Sequence, residues 1–362
     1  MSQNYTIKPI VAYLRQIADI YVSHAGTDAA FRALNHSFEC GRRLGETSTG
    51  YILGHPRCGK TETIKRFILE KTGIDPDLAR GIRSQDPDGA GSVAHALPAR
   101  LFEGNGVRIV YADMTNGVTP RLASQQILEQ VFGYLKARSV TEATASVELI
   151  RHLVDHKIDM LIMDEAQQLF RGHGASGREK LASWLLSLEN SAASSMVVVG
   201  SPSLREFLDN DPAANLRKGF VGELEPFMFT TDDEVLRFYN FLKAFVSALP
   251  MPIRGLQLGN GKIPTKHLEA IYFATRGRPG SLAKLFEEAT YMAFDRNNGH
   301  APSSYVMSDL ELAFDASVLT DTQMKRVNPF RDPREKVKAV LSEESLSSAA
   351  MQSRRTRRRT FA

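Results

Sequence analysis

The sequence has few of the features that mark membrane-bound or disulfide-stabilised proteins. Its 362 residues include two cysteines, Cys40 and Cys58, which provide neither a disulfide framework nor a metal-ligand cluster. No apolar run approaches the roughly 20 residues that a membrane span needs. Residues 5–22 mix apolar and charged positions, unlike the charged-then-apolar order of a signal peptide. These absences predict a cytoplasmic protein with no membrane contact.

Basic charge is concentrated at the C-terminal end. The formal net charge is +4. From Lys325 onward, eleven Lys and Arg stand against four Asp and Glu, a balance of +7, so residues 1–324 carry 34 against 37, or −3. Any nucleic-acid contact made by the body therefore requires a local basic patch, whereas the end of the chain could add a sequence-independent attraction.

Apolar spacing predicts helices and then alternating strands and helices. Two helical patterns precede residue 45. Five short runs with β character follow, at Tyr51–Leu53, Val107–Ala112, Met160–Met163, Met196–Val199 and Phe227–Phe229. Strands that alternate with helices indicate a parallel sheet covered on both faces. The stretch 75–106, rich in Pro and Gly, interrupts this rhythm and is expected to be an insertion or mobile loop.

Beyond the last predicted strand the pattern is helical. The expected helices are Val235–Leu249, Thr265–Thr275, Ser281–Phe294 and Ser308–Leu319. The resulting organisation is a helical leader (1–45), an α/β domain (46–230), a small helical lid (231–324) and a basic, mostly disordered tail (325–362).

A glycine-rich loop follows the first predicted strand and opens a helix. It reads Gly54-His55-Pro56-Arg57-Cys58-Gly59-Lys60-Thr61, with Glu62 next. The glycines let backbone N–H groups approach phosphates, and the helix N-terminus adds positive potential. Lys60 is expected to reach the β- and γ-phosphates of ATP, and Thr61 to bind Mg²⁺. The alternative, a chance match in a strand–turn–helix unit, is disfavoured by a second motif.

That second motif is the apolar run that ends in Asp164 and Glu165. Asp164 at the strand end is predicted to bind Mg²⁺, and Glu165 to accept a proton from the attacking water. The alternative is that the two carboxylates cap a helix over residues 166–170.

A third element is the strand Met196–Val199, which leads to Ser201. In AAA+ proteins a polar residue at this position, called sensor 1, lies between the acidic motif and the γ-phosphate. Ser201 is the candidate. Capping the helix around Leu204–Leu208 explains the same residue equally well.

Together with the segment Asn215–Phe220, these motifs resemble the TniB/TnsC family of AAA+ transposition regulators, which is distantly similar to MuB and IstB. The string Asp-Glu-Ala-Gln-Gln-Leu and the later Gly-Ser-Pro carry most of the resemblance, which covers residues 50–294. It implies an AAA+ P-loop NTPase fold with a five-stranded parallel sheet, an N-terminal helical leader and a C-terminal helical lid.

The resemblance also implies an activity. Such proteins bind ATP at subunit interfaces, form rings or helical filaments on double-stranded DNA, recruit transposase subunits and disassemble on hydrolysis. A target-selection protein or complex is a further expected partner. Arg217 falls where a trans-acting arginine belongs, although a plain solvated arginine is the alternative.

Two other sets of residues follow from the resemblance. The sensor 2 arginine slot of the lid holds Ser281 here, so Arg278, or else Arg276, is expected to reach the phosphates. The expected DNA contacts are Arg121, Lys136, Arg138 and Thr141, although a solvated helix face explains each equally well. The basic tail is expected to dock a transposase subunit or DNA.

A competing interpretation needs no transposase. The same motifs would serve a stand-alone AAA+ ATPase, such as a helicase loader, or a nucleotide-dependent signalling switch. Filament formation on duplex DNA would favour the first interpretation.

Overall fold

The computed structural model describes residues 9–44, 49–77, 99–114, 119–134, 141–170, 175–191, 194–205, 218–259, 265–316 and 327–340. The chain divides into two compact units. Residues 24–225 form the first, here called the sheet unit, and residues up to 23 together with those from 226 onward form the second, the helical unit. In the described ranges, no helix has the length and apolarity needed to span a bilayer.

Six strands form one sheet in the sheet unit. They are β1 (Thr49–Gly54), β2 (Ala99–Gly104), β3 (Val107–Asp113), β4 (Met160–Asp164), β5 (Ser195–Gly200) and β6 (Lys218–Leu224). Their order across the sheet is β2-β3-β4-β5-β1-β6. The β2–β3 pair is antiparallel and every other pair is parallel.

Helices cover both faces of this sheet. They are α2 (Ala25–Glu39), α3 (Lys60–Thr72), α4 (Pro120–Phe132), α5 (Glu142–Asp155), α6 (Gln167–Phe170) and α7 (Ala175–Ser191). Successive strand residues point to opposite faces, so Tyr51 and Leu53 join one apolar core while Ile52 joins the other. Every residue of β1 is buried, as expected of a strand with two covered faces.

Four of the five predicted strands are confirmed, but the predicted strand at Phe227–Phe229 is wrong. Those residues are irregular, and the backbone N–H of Phe227 donates to Gly277 O at 2.8 Å. The Phe229 ring stacks on Tyr272 with centroids 4.5 Å apart. The run Phe227–Phe229 resembles a strand because aromatic residues favour sheets, whereas here its rings pack among helices.

The sheet also contains two strands that the pattern did not predict. One is β6, whose sequence contains two glycines and charged residues. The other is β2, which lies inside the stretch 75–106 that was expected to be a loop. Because β2 is an edge strand, only part of it is buried, and its apolar signal is weak. The predicted five-stranded parallel sheet is therefore a six-stranded sheet with one antiparallel edge.

The helical unit has an aromatic core. Its helices are α1 (Pro9–Ala18), α8 (Asp232–Ser247), α9 (Lys266–Thr275), α10 (Pro279–Arg296) and α11 (Met307–Ala316). A reciprocal capping box of Thr231 and Glu234 begins α8. Phe238, Phe286 and Tyr305 are among the largest fully buried side chains. The four helices predicted between residues 235 and 319 are confirmed in the described part of this interval.

Two predicted boundaries are corrected. The leader 1–45 is not one element, because α1 belongs to the helical unit and α2 to the sheet unit. The tail was expected to be mostly disordered from residue 325, yet residues 327–340 pack in the helical unit, with Asn328 and Val337 buried. The Asn328 amide donates to Glu311 O at 3.0 Å. Because residues 327–340 contain few apolar residues, their composition does not indicate this packing. Residues 341–362 lie outside the described ranges.

Candidate functional site

The candidate site lies at the carboxyl edge of the central strands. Parallel strands direct their carboxyl ends to one edge of a sheet, where open α/β folds bind ligands. The register pairs Leu53 with Gly200 and Asp113 with Asp164, so the ends of β1, β3, β4 and β5 meet there. The loop after β1, the acidic pair after β4 and Ser201 after β5 are thereby brought together.

The loop after β1 has a backbone that depends on its glycines. Gly59 has φ +97°, in the left-handed region that favours glycine, and it immediately precedes α3. A Cβ on Gly54 would lie 2.8 Å from both Cβ and O of Leu224 at the end of β6. The loop therefore passes too close to β6 to accept a side chain at position 54.

Lys60 begins α3 and turns back over this loop. Its side chain is buried, and Nζ donates to Gly54 O at 2.9 Å and to His55 O at 3.1 Å. An ammonium has three donors, so within the described part of the chain one remains for a phosphate oxygen. The other loop residues differ in exposure: His55, Pro56 and Arg57 are exposed, whereas Cys58 is buried.

The acidic pair is connected to the loop by a hydrogen bond. Thr61 Oγ1 donates to Asp164 Oδ2 at 3.2 Å, and the Tyr111 hydroxyl donates to the same oxygen at 3.0 Å. The other carboxylate oxygen accepts from the backbone N–H of Glu165 at 2.8 Å. Burial raises the pKa of Asp164, and these three hydrogen bonds oppose that shift.

Glu165 follows β4 in an unusual backbone conformation. Its φ is +54°, which is uncommon for a residue with a side chain. Its carboxylate accepts a hydrogen bond from Nε2 of Gln167, and Oε1 of Gln167 accepts from the backbone N–H of Ser201 at 2.9 Å. The Ser201 hydroxyl instead contacts Ser203 Oγ at 2.6 Å. The structure therefore links the ends of β4 and β5 through the Ser201 backbone.

ATP with Mg²⁺ fits the residues at this edge. A loop that a Cβ would obstruct, the N-terminus of the 13-residue helix α3 and an ammonium are suited to phosphate oxygens. The hydroxyl of Thr61 and the carboxylate of Asp164 are oxygen ligands of the kind that Mg²⁺ prefers. Among the described residues, no group of three or more His, Cys, Asp or Glu is arranged to hold a metal ion. A site with few protein ligands suits Mg²⁺, which usually keeps waters and phosphate oxygens.

Comparisons with known proteins agree with this geometry. Residues 43–208 match a family described as an AAA domain. The fold is that of an AAA+ P-loop NTPase. The matched segment contains both the glycine-rich loop and the acidic pair.

Several solved structures resemble the chain. Cdc6p from Pyrobaculum aerophilum aligns with a TM-score of 0.52 at 16% identity, over 83% of this chain and 69% of that one. The Aeropyrum pernix ORC2 protein in its ADPNP–ADP complexes aligns with a TM-score of 0.51 at 17% identity, over 86% and 73%. The Aeropyrum pernix ORC1 protein in complex with DNA gives 0.52 at 15% identity, over 83% and 68%. At such identities the likeness establishes the fold. None of the curated proteins matches the chain in sequence.

The remaining predicted site residues are dispersed over the described parts of the chain. Glu62 lies in the first turn of α3, where Arg66 Nε approaches its carboxylate at 3.4 Å. Arg121 is exposed in the first turn of α4, and Thr141 caps α5 by accepting from Thr144 N at 3.3 Å. Arg278 is the N-cap residue of α10 in the helical unit. The predicted residues Lys136, Arg138 and Arg217 lie outside the described ranges.

Two residues that contact the acidic pair were not predicted from the sequence. Tyr111 lies in the middle of β3, and its hydroxyl reaches Asp164 across the sheet. Gln167 was part of the family-like string, but no role was assigned to it. The signal for Gln167 was a glutamine directly after two catalytic-type carboxylates and one small residue. For Tyr111 no local signal existed, because its role depends on the pairing of β3 with β4.

Proposed function

We propose that this AAA+ chain is an Mg²⁺-dependent ATPase whose nucleotide state controls its assembly on double-stranded DNA. The observation that carries the proposal is the contact between Thr61 and Asp164, which joins the phosphate loop to the acidic pair 103 residues later in the chain. Two motifs that each predicted part of a nucleotide site thus lie together. If the two motifs were chance matches with unrelated roles, nothing would require Thr61 and Asp164 to be in contact.

Each residue of the edge has a role in this proposal. Lys60 and the backbone N–H groups of the loop hold the β- and γ-phosphates, and Thr61 with Asp164 holds Mg²⁺. Bound Mg²⁺ neutralises charge that develops on the phosphate oxygens. Glu165 takes a proton from water as the water oxygen bonds to the γ-phosphorus. The bond from that phosphorus to the bridging oxygen breaks, and ADP and phosphate are the products.

The DNA-binding part of the proposal rests on the resemblance and on charge. The proposed duplex contacts are Arg121 and Thr141, which are exposed at the starts of α4 and α5, and the resemblance adds Lys136 and Arg138. Arginine, lysine and threonine bind phosphates without reading bases. Contact of this kind predicts sequence-independent binding that weakens steeply with salt. Within this class, regulation of transposition is the activity that the Asp164–Leu169 string favours, with a transposase and a target-selection factor as partners.

The proposal also includes a shared site between subunits. Arg217 acts in trans, because charge on the transferring phosphoryl group is best met by a guanidinium from outside the pocket. Arg217→Ala should lose ATPase activity while monomeric ATP binding persists. Mixing Arg217→Ala with Lys60→Ala subunits should restore part of the activity, since some interfaces would join an intact loop to an intact arginine. No recovery at any mixing ratio would refute the shared site.

Electron microscopy of the protein on random-sequence duplex DNA tests the assembly. Rings or filaments should form with ATP or a slowly hydrolysed analogue, and Lys60→Ala should abolish them. A monomer under all of these conditions would exclude the proposal.

A second candidate is a helicase-loader-like ATPase, which the likeness to Cdc6p and to DNA-bound ORC1 favours. Stimulation of ATPase activity by a replicative helicase and not by a transposase would select it. Stimulation of the ATPase activity by an integrase-type transposase encoded by a neighbouring gene would favour the transposition regulator.

A further inference from the structure

Gln167 occupies a buried position between two parts of the site. The residue is 8% exposed. Nε2 donates to the Glu165 carboxylate, and Oε1 accepts from Ser201 N at 2.9 Å. Both ends of one amide are therefore engaged, one by the carboxylate after β4 and the other by the backbone at the end of β5.

The amide extends the pairing between β4 and β5. The backbone N–H of Ala166 donates to Val199 O at 2.9 Å, just beyond Met163 and Val198, the last paired residues of the two strands. At the next step the acceptor for Ser201 N is the side-chain oxygen of Gln167 in place of a backbone carbonyl. A glutamine suits this position because its amide combines an acceptor with donors, so it can satisfy a strand N–H and a carboxylate at once.

The surrounding chain is shaped for this side chain. A Cβ on Gly200 would lie 2.5 Å from Oε1 of Gln167, so position 200 must lack a side chain for the amide to stay in place. Glu165 has a positive φ, which is costly for a residue with a Cβ. Strained backbone of this kind tends to persist at functional sites, where the surrounding structure fixes it.

We propose that Gln167 is a positioning residue for Glu165. It holds the carboxylate in the orientation from which it accepts the proton of water, and it ties that orientation to the end of β5. A glutamate side chain rotates about several bonds, so without the amide the carboxylate would spread over many positions. This inference rests on the ATPase activity proposed above.

Steady-state kinetics of Gln167→Met tests it. Methionine is similar in size and flexible but lacks the amide. We expect kcat to fall about tenfold, the effect of losing a hydrogen bond to a charged group, while KM for ATP stays within about twofold. Gln167→Glu should have a larger effect, because it keeps an acceptor for Ser201 N but places a second carboxylate beside Glu165. The matched controls are Gln168→Met and Gln168→Glu, which alter the half-buried neighbouring glutamine and should leave kcat within about twofold.

A double variant separates positioning from packing. In single-turnover reactions, adding Gln167→Met to Glu165→Gln should slow hydrolysis no further, because Gln167 acts through the Glu165 carboxylate. Additive losses would show that Gln167 contributes in some other way and would overturn the proposal. If Gln167→Met does not fold, as judged by circular dichroism, the isosteric Gln167→Glu is measured in its place with the same criterion.

The outcomes also separate this inference from the proposed function. If the wild-type protein has no ATPase activity that Glu165→Gln removes, the proposed function fails and the inference fails with it. If Glu165→Gln removes activity but Gln167→Met and Gln167→Glu retain the wild-type kcat, the inference alone is wrong.

Discussion

The two units of the chain bury polar groups in different ways. In the helical unit, Asp309 is 1% exposed and accepts from Arg296 Nε at 2.9 Å and Nη2 at 3.0 Å and from Val306 N at 2.9 Å. In the sheet unit, Lys60 and Asp164 are also buried, but they lie at the carboxyl edge and keep binding capacity for further ligands. Asp309 faces a guanidinium, whereas the three described partners of Asp164 are uncharged, so the first carboxylate stabilises the fold and the second is suited to bind a cation.

The surroundings of the buried groups follow the same division. The helical unit fills its core with aromatic rings, such as Phe286 against Tyr305 at 5.6 Å between centroids. The sheet unit fills its two cores mainly with aliphatic residues of strands and helices, with a smaller aromatic group around Phe67, and places polar side chains where the strands end. Substitutions in the sheet-unit edge should therefore change activity with little change in stability, and substitutions in the helical unit should do the reverse.

The largest expected effect is that of Lys60→Ala. Removing the ammonium takes away the charge that faces the phosphates, and we expect ATP affinity to fall at least about a hundredfold, which is about 3 kcal/mol. Titration with a fluorescent ATP analogue measures it. Lys65→Ala is the matched control, since Lys65 lies on the same helix and pairs with Asp77 at 2.8 Å. Equal ATP affinity in the two variants would show that Lys60 does not bind the nucleotide.

Glu165→Gln should separate binding from turnover. The amide cannot accept a proton from water, so we expect kcat to fall about a hundredfold or more, with ATP affinity near that of the wild type and DNA-bound assemblies that last longer. Release of phosphate and dissociation from DNA are the measurements. Glu129→Gln, an exposed substitution on α4, should leave both rates unchanged. Similar turnover in both variants would contradict the role of Glu165.

Asp309→Asn tests the helical side of the comparison. An amide cannot accept from the guanidinium at both of its positions, so we expect the free energy of unfolding to fall by about 2 kcal/mol, with ATP affinity unchanged. Urea unfolding followed by circular dichroism measures the change. The control is Glu311→Gln, which alters a pair with the exposed Arg331 and should leave the free energy of unfolding nearly unchanged. A loss of ATP affinity without loss of stability would break the comparison.

The smallest expected effect is that of Tyr305→Phe. It removes the hydrogen bond between the Tyr305 hydroxyl and Thr290 Oγ1, 2.9 Å long, at a cost of about 1 kcal/mol. Burial raises the pKa of Tyr305 to about 12. The contribution of the Tyr305 hydroxyl to the free energy of unfolding should be fully present below about pH 10, the ordinary tyrosine pKa. This contribution should be lost as the pH rises through 12. Unfolding at pH 8 and pH 11 measures this, and the difference between wild type and variant should shrink at the higher pH.

Much of the fold could be predicted because strong local patterns agreed with tertiary packing. β1, β3, β4 and β5 are central strands with buried apolar runs, and all four were predicted. β2 and β6 are the two edges of the sheet. An edge strand buries less surface, so its sequence has a weaker apolar signal. The run Phe227–Phe229 has a strong strand signal but forms no strand, because aromatic rings favour strands on average and suit a helical core equally well.

The loop and the acidic pair were determined by sequence alone. Residues 54–61 and the pair Asp164–Glu165 have fixed local spacing and a strand before each of them, and backbone geometry needs no more than that to form a phosphate loop. Only the tertiary structure decided what surrounds them. Tyr111 reaches Asp164 because β3 pairs with β4, and Gln167 joins Glu165 to Ser201 because β4 pairs with β5. Strand order depends on long-range packing, which no local pattern of residues encodes.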